Sequence, residues 1–187
     1  MASMAKMEDA PAVQALIRPA TESDVEVIHR FIVELAKAED FPGTVTARPE
    51  DVADALFAAD AVAEAVVAVV DGEPAGFALF YPTYSTVLGR RGIHLEDLYV
   101  SERHRGSGLG REILAHLANV AVQRGCARLE WWVLRTNVAA LRFYARLQAR
   151  DLDEIEILRL DGRPLLDLAS SVAGEALTPR RVHEASS

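Results

Sequence analysis

LEDLYVSERHRGSGLGREILAHL, residues 95–117, carries three signals in succession. Residues 94–100 hold Leu95, Leu98, Tyr99 and Val100, which predicts a short buried strand. Two adjacent carboxylates, Glu96 and Asp97, interrupt it. Strand neighbours point to opposite faces, so the two acids are expected in different environments. Arg105-Gly106-Ser107-Gly108-Leu109-Gly110 follows, with glycine at every second position where the backbone must curl. The spacing of Leu109, Ile113, Leu117, Val120 and Ala121 then predicts a helix. A glycine turn feeding a helix start offers unpaired N–H groups and the positive end of a dipole, which suits an anionic phosphate. Arg105 and Arg111 add positive charge. The nucleoside-triphosphate loop is excluded, because Gly110 is followed by Arg111-Glu112 instead of Lys-Ser/Thr. The dinucleotide fingerprint is excluded too, because its third glycine would fall on Arg111.

The 187 residues favour one domain with a sizeable core. A net charge of −8 argues against a nucleic-acid binder. The single cysteine, Cys126, excludes an internal disulfide and has no nucleophile signature around it. No apolar run reaches membrane-spanning length, and no secretory pattern opens the chain. A cytoplasmic protein without nucleic-acid or membrane partners is expected.

Outward from the opening stretch, residues 1–15 read as a flexible leader and residues 16–18 as a first strand ended by Pro19. Thr21 and Asp24 form a helix-start box. Val25, Ile28, Ile32, Leu35 and Ala36 carry that helix to about Glu39. Pro49 opens a second helix through Leu56 and Phe57. Residues 63–70 and 76–81 read as strands joined at Asp71-Gly72. Residues 82–92 read as a loop able to close over a small ligand, together with residues 41–48. The glycine-turn helix runs to about Arg124 and stops at Gly125. Residues 128–134 read as a strand, Asn137 as the cap of a helix, and residues 155–160 as a late strand. A turn and short helical piece fill 161–169, and 170–187 read as a tail. The expected organisation is one domain over 16–169. The fold class is α/β, a mixed, mostly antiparallel sheet with helices on both faces. The strand ending at Val100 and the strand at 128–134 are joined by a helical crossover and should be parallel neighbours.

Arg105, Gly108 and Gly110, with Gly106 as an addition, resemble the acetyl-CoA-binding signature of the GNAT superfamily of N-acetyltransferases. Within it the chain is similar to the diamine (spermidine/spermine) and thialysine acetyltransferases. The blocks that carry this are Ile17-Arg18-Pro19-Ala20-Thr21, Glu34-Leu35-Ala36-Lys37, Tyr84-Ser85-Thr86, Leu95-Glu96-Asp97-Leu98-Tyr99-Val100, the glycine turn, Asn137, Phe143-Tyr144 and Ala149-Arg150-Asp151-Leu152.

The resemblance implies a central parallel pair of strands that splay apart at a bulge around acetyl-CoA, with Asp97 a structural residue next to that bulge. It implies cofactor binding by Leu98, Tyr99 and Val100, by Arg105, Gly106, Ser107, Gly108, Leu109, Gly110 and Arg111, and by Asn137, Ala140 and Tyr144. It gives Glu96 the role of base toward an incoming primary amine. Tyr144 becomes the proton donor to the leaving thiolate, and the Leu98 N–H the support for the acetyl oxygen. Direct attack on the thioester is expected, because Cys126 and the serines lack a base partner. Glu39, Glu96, Glu130, Trp131, Trp132 and Glu156 are the expected substrate-side residues. His94 shares the face of Glu96. No metal is expected, and a homodimer is implied by the resemblance alone.

The chain departs from the family pattern at Ala38, at Arg135-Thr136 and at Gln148. Arg135 disfavours a polyamine and suits a substrate carboxylate. Three readings stand: a small-amine N-acetyltransferase, a protein or peptide N-acetyltransferase, and a catalytically weak acyl-CoA sensor.

Overall fold

The computed structural model describes residues 15–41 and 43–171. The leader and tail expected at 1–15 and 170–187 therefore lie outside the described residues, apart from Ala15, Ser170 and Ser171. The chain divides into two compact units, up to Phe143 and from Tyr144 onward.

The first unit is built on one five-stranded sheet in the order β1-β2-β3-β4-β5. Its strands are β1 (Leu16–Pro19), β2 (Glu64–Val70), β3 (Glu73–Ser85), β4 (Arg90–Val100) and β5 (Leu129–Trp131). The first four pair antiparallel, and β4 pairs with β5 in parallel. The mixed, mostly antiparallel sheet expected from the sequence is therefore present.

Helices α1 (Val25–Ala38) and α2 (Pro49–Phe57) cover one face. Val25, Ile28 and Phe31 of α1 and Val52 and Leu56 of α2 pack on Val67, Phe77 and Tyr99 of the sheet. The Phe31 ring lies 6.0 Å from Phe77 and 5.1 Å from Tyr99. Helix α3 (Leu109–Gln123) covers the other face. Strand alternation turns Gly76, the residue before Phe77, toward Ile113 of α3. Leu109, Ile113, Leu114 and Leu117 are buried there.

The start of α1 forms as its sequence predicts. The Thr21 N–H and hydroxyl both donate to Asp24 at 2.8 Å. Arg18 grips the same carboxylate with two bonds of 2.7 and 2.8 Å. This pairing holds the Asp24 carboxyl down at about 2.

Three expectations are corrected. Residues 82–92 are not a loop: β3 continues to Ser85 and β4 begins at Arg90, leaving a tight turn between them. Pro82 sits opposite Ile93 in the ladder, so cross-strand pairing overrides the local breaker signal. The strand expected at 128–134 is shortened to Leu129–Trp131. Residues 155–160 take no regular structure, although their apolar alternation reads as a strand.

Helix α4 (Val138–Arg146) begins in the first unit and ends in the second. The second unit also holds α5 (Gly162–Ser171), which begins one residue after and ends two residues beyond the helical piece expected at 161–169.

Candidate active site

A bulge in β4 shapes the centre of the site. The ladder runs Tyr81↔His94 and Phe80↔Leu95, then resumes at Leu79↔Asp97. Glu96 is the extra residue. A bulge resets the alternation of the strand that contains it. Asp97 therefore shares the face of its partner Leu79, and Glu96 reaches Tyr81 on that same face. The two acids do not point to opposite sides as simple alternation predicts.

Glu96 is partly exposed and held by one oxygen. The Tyr81 hydroxyl donates to Glu96 Oε2 at 3.3 Å, and His94 Nε2 lies 3.7 Å from the same atom. His94 is 4% exposed. Its ring stacks on Tyr81 at 5.0 Å and meets the edge of Trp132 at 4.8 Å. Burial raises the Tyr81 phenol above its usual pKa, and the Glu96 charge adds to the shift. Asp97 is pushed up to about 6, first by burial and then by the charges of Glu96 and Glu39. A carboxylate beside like charges in a partly dry site resists ionisation.

Next to the bulge the sheet opens. Strand β5 pairs with β4 only at Ile93↔Leu129, His94↔Glu130 and Leu95↔Trp131. It ends there, while β4 continues through Leu98 and Tyr99 to Val100. The backbone of Leu98–Val100 thus has β3 on one side and no strand on the other among the described residues.

The glycine turn follows β4. A 3-10 turn, Glu102–His104, leads into it. Ser101 Oγ and His104 Nδ1 are 2.8 Å apart, and the Ser107 hydroxyl donates to the His104 carbonyl at 2.7 Å. Arg105 Nε donates to the Val100 carbonyl at 3.2 Å, and its guanidinium lies over the Tyr99 ring. Arg105 therefore braces the turn, and Arg111 contributes exposed charge in the first turn of α3.

Gly106 and Gly108 have φ of 78° and 96°, and the space a Cβ would enter is open at both. Among the described residues no acceptor pairs with their amides, and at the start of α3 the Ser107 hydroxyl accepts only a long 3.4 Å bond from the Leu109 N–H. Open space, free N–H groups and a helix start fit a phosphate group. The Leu109 side chain is core, so only its backbone can take part.

Asn137 joins two elements. Its Oδ1 accepts from the Ala140 N–H at 3.0 Å, which caps α4 as expected. Its Nδ2 donates to Glu39 Oε1 at 3.1 Å, at the end of α1. Residues 38–40 and 134–139 line an open cavity of about 760 Å³. Arg135 is exposed in this wall.

The remaining expected residues are more dispersed. Glu130 is half-buried and pairs with Arg128 at 3.1 Å. Trp131 is half-buried, and Trp132 is 57% exposed, so neither is core. Tyr144 and Glu156 belong to the second unit, the first half-buried on α4 and the second exposed. Tyr81 is not singled out by the sequence. Its signal is register: counting from the Asp71-Gly72 turn brings β3 past the bulge only once the ladder is known.

The profile of the Acetyltransferase (GNAT) family matches residues 30–148. A thialysine N-epsilon-acetyltransferase of Sus scrofa is 37% identical over 165 residues, covering 82% of this chain and 96% of the relative. An L-ornithine N5-acetyltransferase of Arabidopsis thaliana is 38% identical over 91 residues, 49% of this chain and 40% of the relative. Among solved structures, an integron cassette protein from V. cholerae aligns with a TM-score of 0.70 at 28% identity, covering 83% of this chain and 97% of that one.

Proposed function

Because the chain belongs to the GNAT acetyltransferase family and is an N-acetyltransferase, we propose that it moves the acetyl group of acetyl-CoA to a primary amine of a small molecule. The amine is a polyamine, thialysine or a lysine-like compound. The observation that carries this reading is the β4 bulge, which sets Glu96 beside the opening between β4 and β5 with one oxygen held by Tyr81 and the other without a partner among the described residues.

Acetyl-CoA supplies an activated acetyl group as a thioester. The phosphates fit the amides of Gly106, Gly108 and Gly110, with Ser107 and Leu109 shaping the turn and Arg105 and Arg111 adding charge. The unpaired edge of Leu98, Tyr99 and Val100 takes the pantetheine arm, and Asn137 and Ala140 form the facing helix start.

A primary alkylamine is mostly protonated near pH 7 and must lose a proton before it can attack. Glu96 binds the ammonium and accepts that proton, directly or through water. The nitrogen then bonds to the acetyl carbon as the carbon–sulfur bond breaks. The Leu98 N–H supports the acetyl oxygen as charge builds on it, the Tyr144 hydroxyl protonates the departing sulfur, and the second nitrogen proton, released as the amide forms, passes through water to restore the phenol. Glu39, Glu130, Trp131, Trp132 and Glu156 face the amine. A cytoplasmic homodimer belongs to the same reading; a monomer by light scattering at micromolar concentration removes the dimer.

The test is a panel of spermidine, thialysine, lysine and a histone-like peptide with acetyl-CoA. Turnover of the small amines is expected. Strong turnover of the peptide alone overturns the reading.

A further inference from the structure

The cavity beside Glu39 carries both signs of charge. Glu39 and Asp40 stand on one wall and Arg135 on the other. Arg135 forms no ion pair or hydrogen bond among the described residues. Asn137 ties Glu39 to the wall that bears Arg135, so the two walls are held to each other. Glu39 itself is near enough to Asp97, the residue after Glu96, for its charge to help raise that carboxyl.

An uncommitted guanidinium in such a place discriminates. It repels a second ammonium group, and its planar fork matches a carboxylate with two parallel hydrogen bonds. A cavity lined by acids alone would welcome a diamine or polyamine. This one offers a carboxylate partner and ammonium partners within the same space, which is the charge pattern of an α-amino-acid head.

We propose that the cavity between residues 38–40 and 134–139 seats the zwitterionic head of an amino-acid substrate, with Arg135 pairing its carboxylate. The α-ammonium turns to Glu39 and Asp40, and the side-chain amine extends toward Glu96. The enzyme therefore selects amines that bear an α-carboxylate over diamines of the same length. This rests on the acetyl-transfer reading above and names its acceptor class.

The experiment measures kcat/KM at saturating acetyl-CoA for matched pairs: lysine against cadaverine, ornithine against putrescine, and thialysine against its decarboxylated counterpart. The carboxylate-bearing member of each pair is expected to be preferred about tenfold or more, the scale of a charge-assisted hydrogen-bond pair. Arg135→Gln should abolish the preference and Arg135→Asp should invert it, raising turnover of the diamines. Arg135 is exposed, so both variants should keep the wild-type melting temperature.

Equal turnover within each pair by the wild type overturns carboxylate selection alone. A rise in the KM for acetyl-CoA with the preference intact also overturns it, because Arg135 then serves the phosphates. Failure to acetylate any amine overturns both this proposal and the reading beneath it.

Discussion

Tyr81 and Glu96 lie on adjacent strands, and the phenol donates to Oε2 of the carboxylate across 3.3 Å. The bond exists because the bulge lifts Glu96 out of the ladder and toward the face of Tyr81. It fixes one oxygen and leaves the other for an amine. Glu96→Gln keeps the shape and removes the proton acceptor. It should lower kcat about a hundredfold or more, the usual scale of general-base catalysis. Tyr81→Phe leaves the base and frees its position, and should cost about tenfold. Tyr144→Phe tests the proton donor in the same assay. Steady-state acetyl transfer with thiol release as the readout decides. Full activity in both Glu96→Gln and Tyr144→Phe, with cofactor binding intact, would remove the catalytic assignments.

Gly108 and Gly110 are separated by one residue and should answer differently to the same substitution. Gly108 has φ of 96°, where an alanine costs roughly 1–2 kcal/mol. Its Cβ would also project into the open space assigned to phosphate. Gly108→Ala should raise the KM for acetyl-CoA about tenfold and lower stability by about 1 kcal/mol. At Gly110 a Cβ would meet Phe143 and Val100 at an ordinary 3.6 Å. Inside a helix alanine is favoured by about 0.5–1 kcal/mol. Gly110→Ala should therefore hold or gain stability and shift the KM less. Titration with CoA and thermal melts of the two variants check this, and equal losses at both positions would contradict it.

The glycine turn and its helix were legible because their signals are local: alternating glycines, a run of periodic apolar residues, and an arginine in reach. The bulge was implied by the resemblance, but its register was not legible in the residues. It is a property of the register between β3 and β4, and nothing in Leu95-Glu96-Asp97 alone says that Leu79 faces Asp97 and not Glu96. The same limit explains residues 82–92. Pro82, Gly89 and Gly92 read as loop, yet Pro82 and Gly92 sit in a paired hairpin, and only Gly89 serves its turn. It also explains residues 155–160, where apolar alternation is present and no ladder forms. A strand needs a partner, and the partner is outside the local sequence. Asn137 was legible as a cap, but its second bond, to Glu39 98 residues earlier, was not.

Gln148 occupies a position with φ of 62°, two residues beyond the end of α4. The backbone there turns into the left-handed region, with the Leu147 and Ala149 N–H groups both donating to the Tyr144 carbonyl. A residue with a Cβ is strained in that conformation by roughly 1–2 kcal/mol, and glycine is the usual helix stop. Gln148→Gly removes the strain and adds about 0.5–1 kcal/mol of unfolded-state entropy. A net gain of about 0.5 kcal/mol is expected from these opposing effects. Urea unfolding measures it, and a loss of stability would show that the glutamine side chain contributes more than its backbone costs.

Asp97 makes stability depend on pH in a direction opposite to most carboxylates. Burial and the charges of Glu96 and Glu39 raise it from 3.8 to about 6. Between those values the folded chain keeps a proton that the unfolded chain releases. The associated stability is complete below about pH 4 and is lost as the pH rises through about 6. Asp24 works the other way. Its carboxyl is held at about 2 by Arg18, so its contribution is present above about pH 4 and lost on acidification. Asp97→Asn removes the first titration and leaves the second. The variant should be more stable than the wild type at about pH 8 by roughly 3 kcal/mol, taking about 1.4 kcal/mol for each pKa unit. The two proteins should converge near pH 4. Urea melts at about pH 4, 6 and 8 test this. A difference that does not change with pH would mean that Asp97 ionises as an ordinary exposed carboxylate, and that the bulge does not crowd the two acids together.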